Sequence, residues 1–432
     1  KYNGQDSEIS ALLGKCGVTR RPQGGGSVDK AVQRPGLGLI AFIVFIDMAG
    51  IGLIIPVMPK LVMQLSGAQV DRAAEIGGWL LFAYAIMQFV FSPIIGGLSD
   101  RFGRKPVLIS TLAALGLDYA LMAMAPTLAW LFVGRVISGV MGATWAAANS
   151  CVADVIEPEK RGAVYGLMGG AGAAGFVLGP ALGGVFGLWG DRVPFMVASV
   201  LCLIGAAYGA YAFRETLPPE KRRRFSLKRA NPFGTMQQMM KAPLVFGCLI
   251  TIFFMQFAAQ SNFAVWSYYG TLKFDWGPLT IGATVALFGI LLAIIQGLLV
   301  GKVIARFGAV KTAGWSLMFA IPSYLVIGFA GSTAIAIVGL IIGSISGLTF
   351  PAMQSLMTEK VAEDAQGELQ GAIGSVVSLT SIIGPPAMTG VFGAYADSTG
   401  LYFPGAPYML AAALMAVAVT ILWRTMRLYA VR

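Results

Sequence analysis

Asp47, Asp118 and Arg135 are the residues of this chain best suited to handle a proton, because each interrupts a stretch that is otherwise apolar. Around the first the sequence reads Phe45-Ile46-Asp47-Met48-Ala49-Gly50-Ile51-Gly52. Asp47 lies about 11 residues into the first long apolar run, roughly 16 Å along a helix at 1.5 Å per residue. A carboxyl at that depth in hydrocarbon is costly and must face a cavity or a partner. Its chemistry is then protonation or contact with a solute; the plainer alternative is a structural cap or an interhelical hydrogen bond. Asp118 and Arg135 fall on consecutive apolar runs at similar depth, about 10–12 Å below the same surface. Pairing lowers the cost of burying each charge. One reading is a proton relay in which Asp118 titrates and Arg135 tunes it; the other is a purely structural ion pair.

Further polar or aromatic residues inside the apolar runs are candidates for a cavity wall: Tyr84, Gln88, Trp145, Asn149, Gln256, Gln260, Asn262, Trp266, Gln296 and Gln354. Any one of them is more often an interhelical or lipid-facing residue. Taken together, stacking rings and a few amides suit a planar amphipathic solute. Gly179-Pro180 and Gly384-Pro385 are candidate hinges, since Gly-Pro inside a helix frees backbone groups and permits bending. Gly170-Ala171-Gly172-Ala173-Ala174-Gly175 fits G-x-G-x-x-G, but no strand precedes it, so it reads as a small-residue packing face and not a nucleotide loop.

The elements that must position these groups are membrane spans. The 432 residues are 56% hydrophobic and 12% charged, against about 25% charged in a soluble domain. Apolar stretches of roughly 20 residues recur, each long enough to cross about 30 Å of hydrocarbon. The sequence predicts an all-α membrane protein of twelve transmembrane helices: 36–65, 75–98, 106–125, 127–155, 160–188, 192–213, 242–270, 278–304, 309–330, 333–358, 366–395 and 404–424. Pro56 and Pro59 should kink or break the first. Residues 1–35 read as a polar cytoplasmic tail, 36–213 as a first six-helix bundle, 214–241 as a cytoplasmic linker and 242–432 as a second bundle with a short tail. Within the linker, an amphipathic stretch from Phe225 to Met240 could lie on the membrane.

Cys16, Cys151, Cys202 and Cys248 are far apart, fit no metal spacing and form no secreted disulfide framework. There is no histidine. The net charge of +11 does not point to nucleic acid, because the bases are confined to one side. With both termini inside, 26 of the 31 Lys and Arg fall in inner loops and tails and four (Lys60, Arg72, Arg192, Lys273) in outer ones, as the positive-inside rule requires. The two bundles are repeats at an offset of 205 residues: Gly96 aligns with Gly301, Arg101 with Arg306, Gly103 with Gly308, Thr144 with Thr349, Gly166 with Gly371, and Gly179-Pro180 with Gly384-Pro385. Asp100 aligns with Ala305, so the second copy lacks that acid.

Between the second and third runs lies Gly96-Gly97-Leu98-Ser99-Asp100-Arg101-Phe102-Gly103-Arg104-Lys105. Gly96 and Gly97 are expected to allow a tight reversal. Asp100 is available to Arg104 or to the positive end of a nearby helix, and Arg161 is a further partner. Pairs among Asp100, Arg101, Arg104, Lys105 and Arg161 would latch the cytoplasmic side in an outward-facing state; the alternative is a solvated turn worth less than about 1 kcal/mol per pair.

This order of residues resembles the signature loop between the second and third helices of the major facilitator superfamily. Gly134 to Ala143 is similar to that superfamily's fourth-helix motif, linked there to proton transfer. Gly175 to Gly184 resembles the fifth-helix motif typical of its antiporter branch. Within it, residues 37–424 most resemble bacterial tetracycline/proton antiporters, through Asp47 to Pro56, Asp118-Tyr119-Ala120, Gly134 to Thr144, Gln296, Gln370-Gly371 and Gly384-Pro385. The resemblance implies two pseudo-symmetric six-helix bundles with a site at their interface, and drug efflux of the kind that exchanges metal-chelated tetracycline for a proton. The chain departs from that family where a functional histidine is expected in helix 8, which here reads Gly289 to Ile294, and where a buried acid is expected in helix 9, around Phe319-Ala320.

The expectation is therefore a secondary active exporter of an amphipathic organic solute, multi-pass in a bacterial inner membrane, coupled to protons through Asp47, Asp118 and Arg135. Its partners would be a small molecule, protons and membrane lipid, with no nucleic acid, cofactor or metal. An uncoupled facilitator and a non-transporting receptor on the same fold are the alternatives. An enzyme is the least expected class, given no histidine, metal set or nucleophile constellation.

Overall fold

The computed structural model describes residues 37–142, 144–222, 242–362, 365–397 and 400–430. The tail 1–35 and the amphipathic stretch 225–240 lie outside the described residues. Among the described residues twelve long helical units follow one another: α1 (Leu37–Ile54), α2 (Val70–Phe102), α3 (Arg104–Ala123), α4 in two pieces (Leu128–Met141 and Thr144–Val155), α5 (Pro158–Phe186), α6 (Val193–Ala212), α7 (Pro243–Phe274), α8 (Pro278–Phe307), α9 (Ala309–Gly328), α10 (Thr333–Lys360), α11 (Gln366–Ala396) and α12 (Ala406–Ala430). Eleven contain a helix long and apolar enough to cross a membrane. The exception is α4, whose apolar piece Leu128–Met141 is short because the helix breaks at Gly142. As the two prolines require, α1 stops at Ile54 and a short helix, Met58–Ser66, takes Pro59 in its first turn.

The signature segment differs from its expectation. Gly96 and Gly97 do not reverse the chain: α2 runs through them to Phe102, and α3 starts at Arg104. The turn is one residue, Gly103, at φ +106. The repeat makes the same turn at Gly308, φ +79, between α8 and α9. Only glycine takes such a φ without a Cβ clash, and it is the residue at both aligned positions.

The repeat also appears in the packing. α1 lies against α5 as α7 lies against α11, and α3 against α6 as α9 against α12. Between lipid-facing helices no apolar solvation gain holds the contact, so close backbone approach must supply it. Gly175, Gly179 and Gly183 form such a stripe on α5, one helical turn apart. A methyl on Gly179 would stand 2.7 Å from the Ala49 carbonyl oxygen, and methyls on Gly175 and Gly183 would meet the carbonyls of Phe45 and Leu53.

The halves touch through α2 with α11 and α5 with α8. Gly78 of α2 faces the Pro385 carbonyl and Thr389 of α11, and Gly393 faces Glu75. Gly282 of α8 faces the Pro180 carbonyl of α5, and Gly184 faces Pro278. All these positions lie toward the ends remote from Gly103 and Gly308. Nearer those turns, Gly96, Gly166, Gly169, Gly170, Gly297, Gly301 and Gly374 have open space where a Cβ would be. The glycine contacts between the halves thus lie on the side away from the basic loops.

Candidate functional site

In the first half the candidate charges are buried on α1, α3 and the first piece of α4. Asp47 of α1 is 5% exposed, Asp118 of α3 2% and Arg135 of α4 6%. The pair expected between Asp118 and Arg135 is only half realised. α3 and α4 come close at Gly134, where a Cβ would stand 3.0 Å from Asp118 Oδ1. Neither Asp118 oxygen has a hydrogen-bond partner among the described residues, and Arg135 Nε has none either. Arg135 Nη2 instead donates to Met122 Sδ at 2.9 Å, and its guanidinium carbon lies 6.0 Å from the Tyr84 ring centre. Ser138 is beside the carboxyl, but its hydroxyl donates to the Gly134 carbonyl at 2.8 Å. The geometry is thus an acid and a guanidinium within electrostatic reach, not a hydrogen-bonded ion pair.

Two tyrosines join this group to Asp47. Tyr84 lies within electrostatic reach of both Asp47 and Arg135, and so does Tyr119, whose ring packs on Gly50 with its edge 3.1 Å from where a Cβ would be. Tyr119 was not among the candidates, although it adjoins Asp118 in the sequence. Gln88 donates to the Tyr84 hydroxyl at 3.1 Å and to the Gly142 carbonyl at 2.9 Å. It therefore satisfies a carbonyl exposed by the break in α4. Asn149 is half-buried on the second piece of α4, and the side chain of Trp145 lies outside the described residues.

In the second half a cavity of about 340 Å³ opens among α7, α8, α9 and α10. Of the predicted wall residues it contains Gln256, Asn262 and Gln296, joined by Phe263, Phe288, Tyr324 and Phe350. Three others serve packing. Gln260 is 8% exposed and its stem lies against Gly384. Trp266 donates to Thr284 Oγ1 at 3.0 Å and leans on Trp276, ring centres 5.2 Å apart. Gln354 donates to Gln370 at 2.9 Å near the basic side. Trp266 and Asn262 also border a cleft of about 40 Å³ between the halves, with Ile55, just past α1, and Phe176 of α5.

The signature segment pairs inside its own half. Arg104, 7% exposed, bonds Asp100 Oδ1 at 2.6 Å and Asp154 Oδ2 at 2.8 Å. Arg161 does not reach Asp100; it donates to the carbonyls of Ile156 (3.0 Å) and Ala153 (2.7 Å), closing the end of α4. Arg101 stacks over its neighbour Phe102 at 5.1 Å. The backbone N–H groups of Arg104 and Lys105 donate to Glu215, at 2.8 and 3.3 Å. Glu215 was not among the candidates; its one mark in the sequence is an acid just after the sixth span.

Gly179-Pro180 and Gly384-Pro385 both lie inside continuous helices, and both proline carbonyls face a glycine of the opposite half.

Residues 39–385 and 257–428 match the family described as Major Facilitator Superfamily. Among curated relatives, the class C tetracycline resistance protein of Escherichia coli is 35% identical over 88% of this chain and 94% of its own length. The class H tetracycline resistance protein of Pasteurella multocida is 34% identical over 80% of this chain and 86% of its own. Among solved structures, a bacterial homolog of the human lysosomal transporter Spinster, in an inward-facing and occupied conformation, superposes with a TM-score of 0.74 at 16% identity, over 94% of this chain and 98% of that one; at that identity the likeness concerns the fold.

Proposed function

The chain belongs to the major facilitator superfamily, a family of transporters and not enzymes, and on that premise we propose that it exports an amphipathic organic solute in exchange for protons. The reading places it in a bacterial inner membrane with its basic loops and both termini in the cytoplasm, where alternating access moves the solute outward and protons inward. The observation that carries the proposal is the burial of Asp47 and of Asp118, the latter within electrostatic reach of Arg135 but not hydrogen-bonded to it. A structural ion pair would close its geometry; carboxyl groups that must gain and lose a proton need not. The relatives named for tetracycline resistance support a drug as cargo. Tetracycline is the first solute to try.

We read the glycine contacts on the side away from the basic loops as the closed gate of one of the two states that alternating access needs. Gly78 and Gly282, seated on the proline carbonyls of the opposite half, act as the contact that must part for the other state to form. The Gly-Pro pairs are the hinges, and the Asp100–Arg104–Asp154 cluster holds the basic end of α2 in place during the swing. Proton-driven uptake of tetracycline into everted vesicles tests the proposal. Uptake should collapse when the pH gradient is dissipated. Solute counterflow with no response to pH favours an uncoupled facilitator.

A further inference from the structure

Three helices of the second half lose their regular geometry along the wall of one cavity. α7 carries a π turn at Ser261–Val265, α8 a π turn at Ile295–Leu299, and α10 a 3-10 turn at Ile345–Leu348. Such turns interrupt the helical hydrogen-bond ladder, and they collect where a helix serves a ligand. All three border the 340 Å³ cavity. Each π turn presents one amide to it, Asn262 from α7 and Gln296 from α8, and Gln256 of α7 is a third. Two other amides of the spans are engaged within the protein: Gln88 bonds Gly142 and Gln354 bonds Gln370. Asn262, Gln256 and Gln296 make no side-chain hydrogen bond with any described residue. Phe263, Phe288 and Phe350 supply flat apolar faces, and no Asp, Glu, Lys or Arg borders the cavity among the described residues.

We infer that this cavity is the recognition subsite for the uncharged, flat, hydrogen-bonding part of the transported solute, selected by Asn262, Gln256 and Gln296. Each amide offers both a donor and an acceptor, so a carbonyl, hydroxyl or amide on the solute finds a partner in either sense. An ion placed here loses its hydration and gains no counter-charge, which is far more costly than burying a neutral group. The two halves then divide the work. The first carries the carboxyl groups and the second reads the solute. The inference rests on the transport reading only in taking the cargo to be an organic molecule; proton coupling does not enter it.

Equilibrium binding to the purified full chain, with no gradient present, tests this. Chloramphenicol, an uncharged aromatic amide, is the probe and ethidium, a permanent cation, the comparison. Asn262→Leu and Gln296→Met keep side-chain volume while removing the hydrogen-bonding groups. Each should weaken chloramphenicol binding about three- to tenfold, the usual worth of one neutral hydrogen bond. Ethidium binding and the unliganded unfolding temperature should not change. The inference is overturned if the wild-type chain does not bind chloramphenicol, if the isosteres bind it as well as wild type, or if both probes lose affinity alike. Because the assay involves no proton movement, a failure here and a failure of coupling are read separately.

Discussion

Gln88 of α2 donates to the Gly142 carbonyl of α4 at 2.9 Å, bridging two helices at the point where α4 breaks. The same amide holds the Tyr84 hydroxyl at 3.1 Å, and Tyr84 in turn faces Arg135. The break is thereby tied to the charged group. Replacing the amide by an apolar isostere, Gln88→Met, leaves that carbonyl without its partner. The expected cost is about 1 kcal/mol, seen as a lower unfolding temperature. Gly142→Ala should do at least as much harm, since its methyl would stand 2.9 Å from Gln88 Nε2 and 3.1 Å from the Tyr84 hydroxyl. Unchanged stability in both would show that the bridge does not hold the break.

The contact of Gly282 with the Pro180 carbonyl gives a prediction about conformation. Gly282→Ala crowds that oxygen and Gly184 together. Overpacking of this kind costs about 1–3 kcal/mol. Confined to the state in which the halves touch there, it shifts the equilibrium against that state by about 5- to 150-fold. A cysteine introduced at Ile55, which borders the cleft between the halves, should become more reactive to a membrane-impermeant maleimide in the Gly282→Ala background. Equal reactivity would mean that this contact does not set the closed side.

Most of this architecture was legible in the sequence because a bilayer imposes few choices. Apolar length dictates a span, the 205-residue offset dictates two like halves, and a carboxyl in an apolar run has to be buried. The turn was misplaced by several residues because glycines at 96, 97 and 103 look alike as letters, whereas only Gly103 needs a positive φ. The pairing of Asp118 with Arg135 was inferred from depth alone. Depth says nothing of the rotation of each helix or of Met122 lying in between. The π turns that deliver Asn262 and Gln296 leave no mark in hydropathy, so ten wall residues were named with equal weight and three of them line the 340 Å³ cavity of the second half.

Glu215 binds the first two N–H groups of α3 and the N–H groups of Thr216 and Leu217, at 2.8 to 3.3 Å. It both caps a helix and fastens the chain after α6 to the signature turn. Glu215→Gln retains the shape but loses the charge facing the helix dipole, worth about 0.3–1 kcal/mol. The destabilisation should shrink as salt rises, because screening weakens the charge term. A deficit independent of salt would point to geometry in place of charge.

Arg104 bonds two carboxylates at once, those of Asp100 and Asp154. Arg104→Met leaves both without their partner. Hydrogen bonds to charged groups are worth about 1.5–3 kcal/mol, and since Asp100 is 43% exposed, the lower part of that range applies. Arg104→Lys should recover little, because one ammonium on a flexible stem cannot reproduce the fork that reaches both acids. Thermal unfolding of the three proteins decides it: a lysine variant matching wild type would show that charge alone suffices.

The role given to the buried carboxyls is tested most directly by proton-driven tetracycline uptake into everted vesicles containing wild type, Asp47→Asn and Asp118→Asn at matched protein levels. Asparagine keeps the size and removes the titration. Gradient-driven accumulation should fall to background in both variants while gradient-independent counterflow persists. Accumulation at the wild-type level in both would contradict coupling through Asp47 and Asp118.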